Sequence, residues 1–314
     1  MRRIIASLLI AVTVVAVFSS CMTVTDDGKA PYVTFTDDAG REISLKIKPA
    51  KVAVLFSSFA DIWTVAGGET AITVGETVER GLAKKDVLLV DSGAGKTINT
   101  ELLISYAPDF VICSADISAQ SEAAALLNSV GIPAACFRVE SFSDYLRVLD
   151  IFTDITQNKD AYAKYGTDVE NGINDLLDGI QKPETAPKIL FIRAGSSSRS
   201  TKAKNASQHF ACAMLSNLGA YNIADAAPVL LDGLSIEEIL RQDPDIIFIT
   251  SMGDEAASRA YVDSLFSDSV WSTLSAVKNN RYHFLPKDLF QYKPNSKWLD
   301  AYKILAEILY EDKE

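Results

Sequence analysis

The chain has 314 residues, of which 48% are hydrophobic and 23% are charged, and its formal net charge is −11. This composition is typical of a globular protein, and the length favours two lobes over a single core. The acidity argues against nucleic acid as a partner.

The first twenty residues have the features of an export signal. Arg2 and Arg3 precede a short apolar run, and the small residues Ser19 and Ser20 precede Cys21. A cysteine at this place resembles a bacterial lipobox, in which Cys21 is lipidated and becomes the mature N-terminus. Residues 1–20 are therefore interpreted as a lipoprotein signal peptide and residues 21–32 as a tether, and cleavage by another peptidase is the alternative. No other apolar run approaches the ~20 residues of a membrane span.

Beyond Cys21 the chain contains three cysteines, Cys113, Cys136 and Cys212, each within an apolar pattern. We interpret them as small buried side chains, and whether Cys113 and Cys136 pair is left open. The spacing shows no CxxC motif or Cys/His cluster that would predict a metal site.

Between residues 33 and 142, short apolar strands alternate with helical segments, and the strand patterns are KVAVLF, DVLLV, DFVIC and PAACFRV. Residues 143–182 lack a strand pattern and predict two helices that break at residues 158–160, the second ~30 Å long. Strand patterns return in residues 183–314 as KILFI, DIIFI and RYHFL. This alternation predicts an α/β fold, in which two open lobes with mainly parallel sheets are joined by one long α-helix.

One stretch occurs twice, as NTELLISYAPDFVI from Asn99 and as SIEEILRQDPDIIFI from Ser235. In each copy a polar residue suited to begin a helix is followed two residues later by a glutamate, Glu101 or Glu237, where the helix dipole favours a carboxylate. Pro-Asp then ends the helix, and a continuous apolar run follows. Each copy therefore predicts a short helix that leads into a buried parallel strand.

In open α/β sheets, ligands bind beyond the carboxyl ends of the strands. In the first lobe this rule selects residues 56–63, DSGAGK after Val90 and SAD after Cys113, and in the second lobe residues 193–205, 250–254 and 286–298. Within residues 193–205 and 286–298 the only acidic residue is Asp288. The basic residues of the two loops are Arg193, Arg199, Lys202, Lys204, Lys287, Lys293 and Lys297. They predict a positively charged cleft wall for an anionic ligand, and a solvated basic surface is the alternative.

Aromatic residues near these loops could form apolar walls for a bulky ligand: Phe56, Trp63, Phe290, Tyr292 and Trp298. Trp298 also belongs to an apolar helical stripe, which favours a place in the core.

The chain has two histidines, too few for a receptor of bare zinc or manganese. His283 lies in a strand pattern. His209 either contacts a ligand, serves haem iron together with Tyr292, or is an ordinary structural histidine.

The sequence contains no complete match to either of two enzyme motifs, a phosphate-binding loop and a Ser/His/Asp arrangement. GAGKT at residues 93–97 lacks the earlier glycine of a phosphate-binding loop, because position 90 is Val. The sequence contains no GxSxG, and no local pattern suggests a Ser/His/Asp arrangement.

The chain resembles the substrate-binding lipoproteins of ABC importers for iron–siderophore complexes, haem and cobalamin. The resemblance is carried by VTFTDDAGREISL, KVAVLFSS, both glutamate–Pro-Asp units, LGAYNIAD, LSAVKNNRYHFLP and KWLDAYKILAEILY. It implies the class III architecture of periplasmic binding proteins, with two lobes bridged by a rigid helix and the ligand in the cleft between them. It also implies that Glu101 and Glu237, one per lobe, dock onto arginines of the permease.

These observations predict a non-enzymatic receptor that captures an iron–siderophore-type chelate and delivers it to a dimeric ABC permease with its ATPase. A haem or cobalamin receptor is the alternative, and an exported enzyme or a structural surface lipoprotein is a remote one. No intrinsic cofactor or metal is expected. The protein is expected to be monomeric and lipid-anchored through Cys21, facing the periplasm or the cell exterior. The predicted ligand-binding residues are Phe56, Ser57, Ser58, Trp63, Arg193, Ser197, Arg199, Lys202, His209, Tyr292 and Lys293.

Overall fold

The computed structural model describes residues 30–91 and 97–310, so the predicted signal peptide, Cys21 and most of the GAGKT segment lie outside the described residues. The first described element is an antiparallel hairpin of β1 (Val33–Thr36) and β2 (Glu42–Leu45). Asp37 lies in the turn of this hairpin. Its carboxylate accepts hydrogen bonds from Arg41 and, at 2.9 Å, from the Cys136 backbone N–H. These bonds tie the hairpin to the first lobe.

The first lobe is built on a parallel five-stranded sheet with the order β5-β4-β3-β6-β7. Its strands are β3 (Val52–Val54), β4 (Thr70–Thr73), β5 (Leu88–Leu89), β6 (Phe110–Ser114) and β7 (Ala134–Phe137). Its helices are α1 (Ser57–Val65), α2 (Gly75–Glu79), α3 (Thr100–Ser105) and α4 (Ser118–Ser129). Every residue of β6 is buried, as expected for a central parallel strand covered on both faces.

The helical segment that follows contains α5 (Phe142–Thr156), α6 (Lys159–Tyr162), a π-helical turn (Ala163–Thr167) and α7 (Asp168–Gly179). Gln157 lies in the left-handed region with φ 60° and ends α5. Asn158 begins the next helix, because its side chain accepts a hydrogen bond from the Ala161 N–H. From Lys159 the chain is helical without interruption to Gly179, so the predicted break and long linking helix are both confirmed.

The second lobe has a parallel sheet with the order β10-β8-β11-β12, and β9 pairs antiparallel with β8. Its strands are β8 (Lys188–Ala194), β9 (Lys202–Ala203), β10 (Tyr221–Asn222), β11 (Ile246–Ser251) and β12 (Tyr282–Phe284). The predicted α/β fold with mainly parallel sheets is confirmed. Three short strands, β4, β9 and β10, were not predicted.

The helices of the second lobe are α8 (Phe210–Asn217), α9 (Ile223–Ala226), α10 (Val229–Asp232), α11 (Ile236–Gln242), α12 (Glu255–Phe266), α13 (Ser275–Lys278), α14 (Lys287–Phe290) and α15 (Trp298–Tyr310). Short 3₁₀ turns occupy Ser198–Ser200, Trp271–Thr273 and Asn295–Lys297. The helix α15 packs against α7, so the C-terminal helix lies on the linking helix.

The repeated stretch forms the same unit in each lobe. The helices α3 and α11 are followed by Ala107 and Asp243, which have left-handed φ angles of 46° and 44°. Both residues precede a proline, and a proline disfavours the right-handed helical conformation in the residue before it. Each helix therefore ends two or three residues before its proline, and its strand follows.

The aspartate after each proline holds two neighbouring strands together. The Asp109 carboxylate accepts hydrogen bonds from the backbone N–H groups of Ala50 and Lys51 at 2.9 and 2.8 Å. The Asp245 carboxylate accepts one from the Lys188 N–H at 2.9 Å. Each Pro-Asp thus ties the start of β6 or β11 to the chain entering the adjacent strand. The repeated stretch therefore has a structural role, since it joins neighbouring strands, in addition to carrying the two glutamates.

The two lobes share one hydrophobic cluster that includes residues of both sheets and of the linking helix. Trp298 is 2% exposed and contacts Phe142 and Phe210, with ring centroids 5.8 and 5.5 Å away. It therefore belongs to the core, as its helical stripe indicated.

Candidate ligand-binding cleft

Loops at the carboxyl ends of the two sheets line several cavities, and three of them concern the predicted site. Two of the three are lined by residues of both lobes, and the third by residues of the second lobe. The central cavity has a volume of about 570 Å³ and is lined by Asp116, Glu140, Arg193, Gln208, His209, Phe210, Gln291 and Lys293. The side cavity, about 490 Å³, is lined by Asp61, Glu76, Glu79, Arg80, Leu82, Lys287, Asp288, Tyr292, Lys293, Pro294 and Lys297. The basic pocket, about 180 Å³, is lined by Arg193, Arg199, Ser200, Lys202, Lys204 and Met252.

The basic pocket concentrates positive charge on the turn between β8 and β9. Arg193 and Lys202 are direct partners in the antiparallel ladder, an arrangement that is unfavourable for like charges. Burial and the charges of Arg193 and Lys202 lower the pKa of Lys204 below its usual value. Within the described part of the chain, no carboxylate forms an ion pair with Arg193, Arg199, Lys202 or Lys204. An anion in this pocket would relieve the repulsion.

Arg193 also lines the central cavity, so the two spaces share a wall. The two carboxylates that line the central cavity are already paired. Asp116 accepts a hydrogen bond from Arg138 at 2.5 Å, and Glu140 forms an ion pair with Lys293 at 2.9 Å. The charge of Arg193 is therefore the one in this cavity that is open to a ligand.

His209 lines the central cavity, and its ring is held within the fold. Its Nδ1 accepts a hydrogen bond from the Ala211 N–H at 3.2 Å. The ring lies 4.7 Å from those of Phe191 and Phe210. Burial, together with the positive charges of Lys293, Arg193 and Lys204, lowers the pKa of His209 to about 3. The residue is a neutral part of the cavity wall.

Tyr292 lies in the side cavity, beneath a residue of the other lobe. The Arg80 guanidinium lies 3.9 Å from the centroid of the Tyr292 ring, within the range of a cation–π contact. Ser57 fixes that guanidinium, because its hydroxyl accepts from Arg80 at 2.8 Å and donates to Glu76 at 2.6 Å. Ser57 is therefore a buried support for Arg80.

Asn295 makes a second polar contact between the lobes. Its side chain is fully buried, and its Nδ2 donates to the Ser58 carbonyl at 3.0 Å and to the Asp61 carboxylate at 2.8 Å. Sequence reasoning missed Arg80, Asp61, Glu140 and Asn295. Asp61 lies in α1, directly after β3, and Arg80 lies at the end of α2, directly after β4. The loop rule applied to β4 would have included Arg80.

The remaining predicted ligand residues lie away from the three cavities. Trp63 is 3% exposed, donates to the Glu69 carbonyl and packs edge-on against Phe152, so the expectation that it lines the cleft is corrected. Phe290 and Ser58 are likewise buried, at 0% and 3% exposure. Phe56 is half-buried against Phe59, and Ser197 is exposed and bonds to Ser200. The structure thus gathers Arg193, Arg199, Lys202, His209, Tyr292 and Lys293, and it separates the others.

The two repeated glutamates are exposed on opposite lobes. Glu101 lies in the first turn of α3 and Glu237 in the first turn of α11. Both helices run back from the carboxyl ends of their sheets to the start of the next strand, so both first turns lie at the edge where the cleft is. Neither carboxylate forms an ion pair with another described residue.

Cys113, Cys136 and Cys212 are free and buried, as expected for small apolar side chains. Cys113 and Cys136 are partners on neighbouring strands. The described residues contain no group of three His, Cys, Asp or Glu side chains that could hold a metal ion. In residues 30–91 and 97–310, no helix is long and apolar enough to cross a membrane.

A family model for periplasmic binding proteins matches residues 52–289. The chain therefore belongs to the periplasmic binding protein family, and the resemblance inferred from the sequence is confirmed. No curated protein sequence matches the chain.

Solved structures show the same fold at low identity. An ABC transporter substrate-binding protein from Listeria monocytogenes has a TM-score of 0.68 and 17% identity, over 85% of this chain and 100% of that one. Staphylococcus aureus IsdE, complexed with heme, has a TM-score of 0.66 and 15% identity, over 83% and 98%. S. aureus SirA, complexed with staphyloferrin B, has a TM-score of 0.64 and 20% identity, over 89% and 97%.

Proposed function

We propose that this protein is the extracytoplasmic substrate-binding component of an ABC importer and that it captures an anionic chelate of the iron–siderophore type. One observation carries the proposal. The cations of the basic pocket and Arg193 have no carboxylate partner among the described residues, and they face the cavities between the lobes. An excess of unpaired positive charge at a cleft attracts an anion.

The size of the site agrees with a ligand of this kind. The central cavity, about 570 Å³, falls within the ~300–1,000 Å³ that small-molecule pockets span. The basic pocket beside it, with a volume of about 180 Å³, would take an anionic arm of the ligand rather than its body. IsdE and SirA, which share the fold, bind heme and staphyloferrin B, so the fold accommodates ligands of both classes.

The structure favours a siderophore over haem. Haem iron needs an axial ligand such as histidine or tyrosine. His209 Nδ1 accepts a hydrogen bond from the Ala211 N–H, and the ring lies 4.7 Å from those of Phe191 and Phe210. Arg80 covers the Tyr292 ring. Neither side chain is arranged for an iron atom without local rearrangement. The haem or cobalamin alternative thus has less support than the anionic chelate.

Delivery of the ligand to the permease would use the two exposed glutamates for docking. We assign Glu101 and Glu237 to docking on a dimeric ABC permease, which with its ATPase is the expected partner. One carboxylate on each lobe matches a permease whose two subunits each present a basic surface. This role suits a monomeric receptor that is held at the membrane through lipidated Cys21 and faces the cell exterior or periplasm. No catalytic constellation supports an enzyme reaction in the cleft.

Thermal shift against ferric siderophores, haem and corrinoids tests the ligand class. A ligand at 100 times its Kd should stabilise the protein by ~2.7 kcal/mol. Stabilisation by haem alone would contradict the proposal.

Two arginines then test the role of charge. Arg193 is half-buried between two cavities, so Arg193→Ala should cost about 2–5 kcal/mol of binding free energy. Arg199 is exposed, so Arg199→Ala should mainly alter the association rate and its salt dependence. Ser197→Ala, from the same loop, is the neutral control. Titrations at low and high salt measure all three, and unchanged affinity in both arginine variants would refute an anionic ligand.

A further inference from the structure

One ion pair crosses the cleft. Lys293 Nζ of the second lobe lies 2.9 Å from Glu140 Oε2 of the first lobe. No other ion pair among the described residues joins the first lobe to the second. Lys293 is also the one lining residue that the central and side cavities share. The pair therefore stands at the middle of the cleft.

Lys293 is well placed to bind an anion, but Glu140 occupies it. The lysine side chain is 21% exposed, and its ammonium group lies 4.9 Å from the centroid of the Phe210 ring. Glu140 is more exposed, at 54%, and the hydrogen bond of its carboxylate is the one to Lys293. Its backbone N–H, not its side chain, takes part in the start of α5, so displacement of the carboxylate leaves that helix start in place. Of the two side chains in this ion pair, the Glu140 carboxylate is therefore the one that the fold holds less firmly.

The cations of the central cavity and the basic pocket then fall into two groups. Arg193 and the basic pocket have no carboxylate partner in the described part of the chain, whereas Lys293 is neutralised by Glu140. A first anionic group of a ligand would meet the unpaired cations. A second anionic group would reach Lys293 only by replacing Glu140. A ligand with a single negative charge would leave Glu140 in place and would experience its repulsion.

We propose that Glu140 is a resident counter-anion that the ligand displaces from Lys293, so that the cleft selects chelates with at least two separated anionic groups. This inference rests on the proposed function, since it specifies the ligand of the same cleft. Glu140 thereby selects against weakly charged compounds, because its carboxylate disfavours the binding of any ligand that cannot displace it from Lys293.

The test compares Glu140→Gln with Glu170→Gln. Both variants change the net charge equally, and Glu170 is an exposed residue of α7 outside the cleft. Ferric citrate is the probe, titrated by tryptophan fluorescence at low salt. Glu140→Gln should lower its Kd about three- to tenfold relative to wild type, the range expected for loss of an exposed ion pair and its repulsion. Glu170→Gln should change the Kd less than twofold.

A second measurement does not depend on any ligand. Amine acetylation followed by mass spectrometry reports whether Lys293 is paired, and Lys84, paired with Glu69 on the surface, is the internal reference. Lys293 should react faster in Glu140→Gln, while Lys84 should not change. Equal labelling of Lys293 in wild type and Glu140→Gln would overturn the inference.

The two proposals fail in different ways. If wild type binds ferric citrate and Glu140→Gln binds it no more tightly than Glu170→Gln, Glu140 is not a competitor and the proposed function stands. If neither wild type nor either variant binds ferric citrate or any anionic chelate of the thermal-shift screen, the proposed function is refuted and the inference with it.

Discussion

Asn295 provides a sharp test of how the lobes are held together. The residue is fully buried, has a left-handed φ of 51° and donates both of its Nδ2 hydrogen bonds to the first lobe. Asn295→Ala removes these bonds and places alanine in the left-handed conformation. That conformation is unfavourable for a residue that has a Cβ atom and no polar side chain. Asn295→Gly removes the same bonds but tolerates the conformation.

The magnitudes follow from the two partners. The bond to the Ser58 carbonyl is a neutral bond, worth about 1 kcal/mol. The bond to Asp61 has a charged acceptor, and because that carboxylate is partly exposed, we take the lower limit of about 1.5 kcal/mol. The left-handed conformation adds about 1 kcal/mol for alanine. Asn295→Ala should therefore destabilise the protein by about 3–4 kcal/mol, and Asn295→Gly by about 1 kcal/mol less.

Equilibrium urea unfolding of wild type and both variants measures these differences. Small-angle X-ray scattering of the folded variants adds a geometric readout, because loss of the contact should increase the radius of gyration. The reasoning is refuted if Asn295→Ala costs less than about 1 kcal/mol, or if the glycine variant is no more stable than the alanine variant.

Three further predictions concern pH, docking and anchoring. The pKa of His209 is lowered to about 3, so the folded state favours the neutral ring, and wild-type stability should fall between about pH 6.5 and pH 3 by up to about 1.4 kcal/mol per pH unit. Thermal unfolding across this range should show a shallower fall for His209→Gln, and parallel curves would contradict the assignment. The double variant Glu101→Lys, Glu237→Lys should bind ligand normally and lose uptake in cells, whereas weakened binding would place the glutamates in the cleft. Cys21→Ser should move the protein from the membrane fraction to the soluble exported fraction, and unchanged attachment would exclude the lipid anchor.

Local sequence signals were sufficient for the regular elements. The alternation of apolar runs with helical segments, and the Pro-Asp units at residues 108 and 244, predicted the parallel strands β6 and β11 and the helices before them. These signals are local because a helix end and a buried strand depend on residues close in the chain. The strands β9 and β10 were missed because each has two residues and, unlike β5, lies in no apolar run; such strands exist only through pairing with a neighbour.

Trp63 shows where a sequence signal was present but was not used. Phe59, Ile62, Trp63 and Ala66 recur at helical spacing, and the structure buries all four. That stripe outweighs the position of Trp63 shortly after a strand, because a periodic apolar face must pack against the core. The same reasoning placed Trp298 correctly.

What the sequence determined by itself was the two-lobed α/β fold, the linking helix and the basic loops of the second lobe. What only the tertiary structure decided was which side chains face each other across the cleft. Glu140 and Lys293 are 153 residues apart, and Asn295 and Asp61 are 234 residues apart. No periodicity or spacing relates such residues, because their contact depends on how two separately folded sheets are oriented by the helix between them.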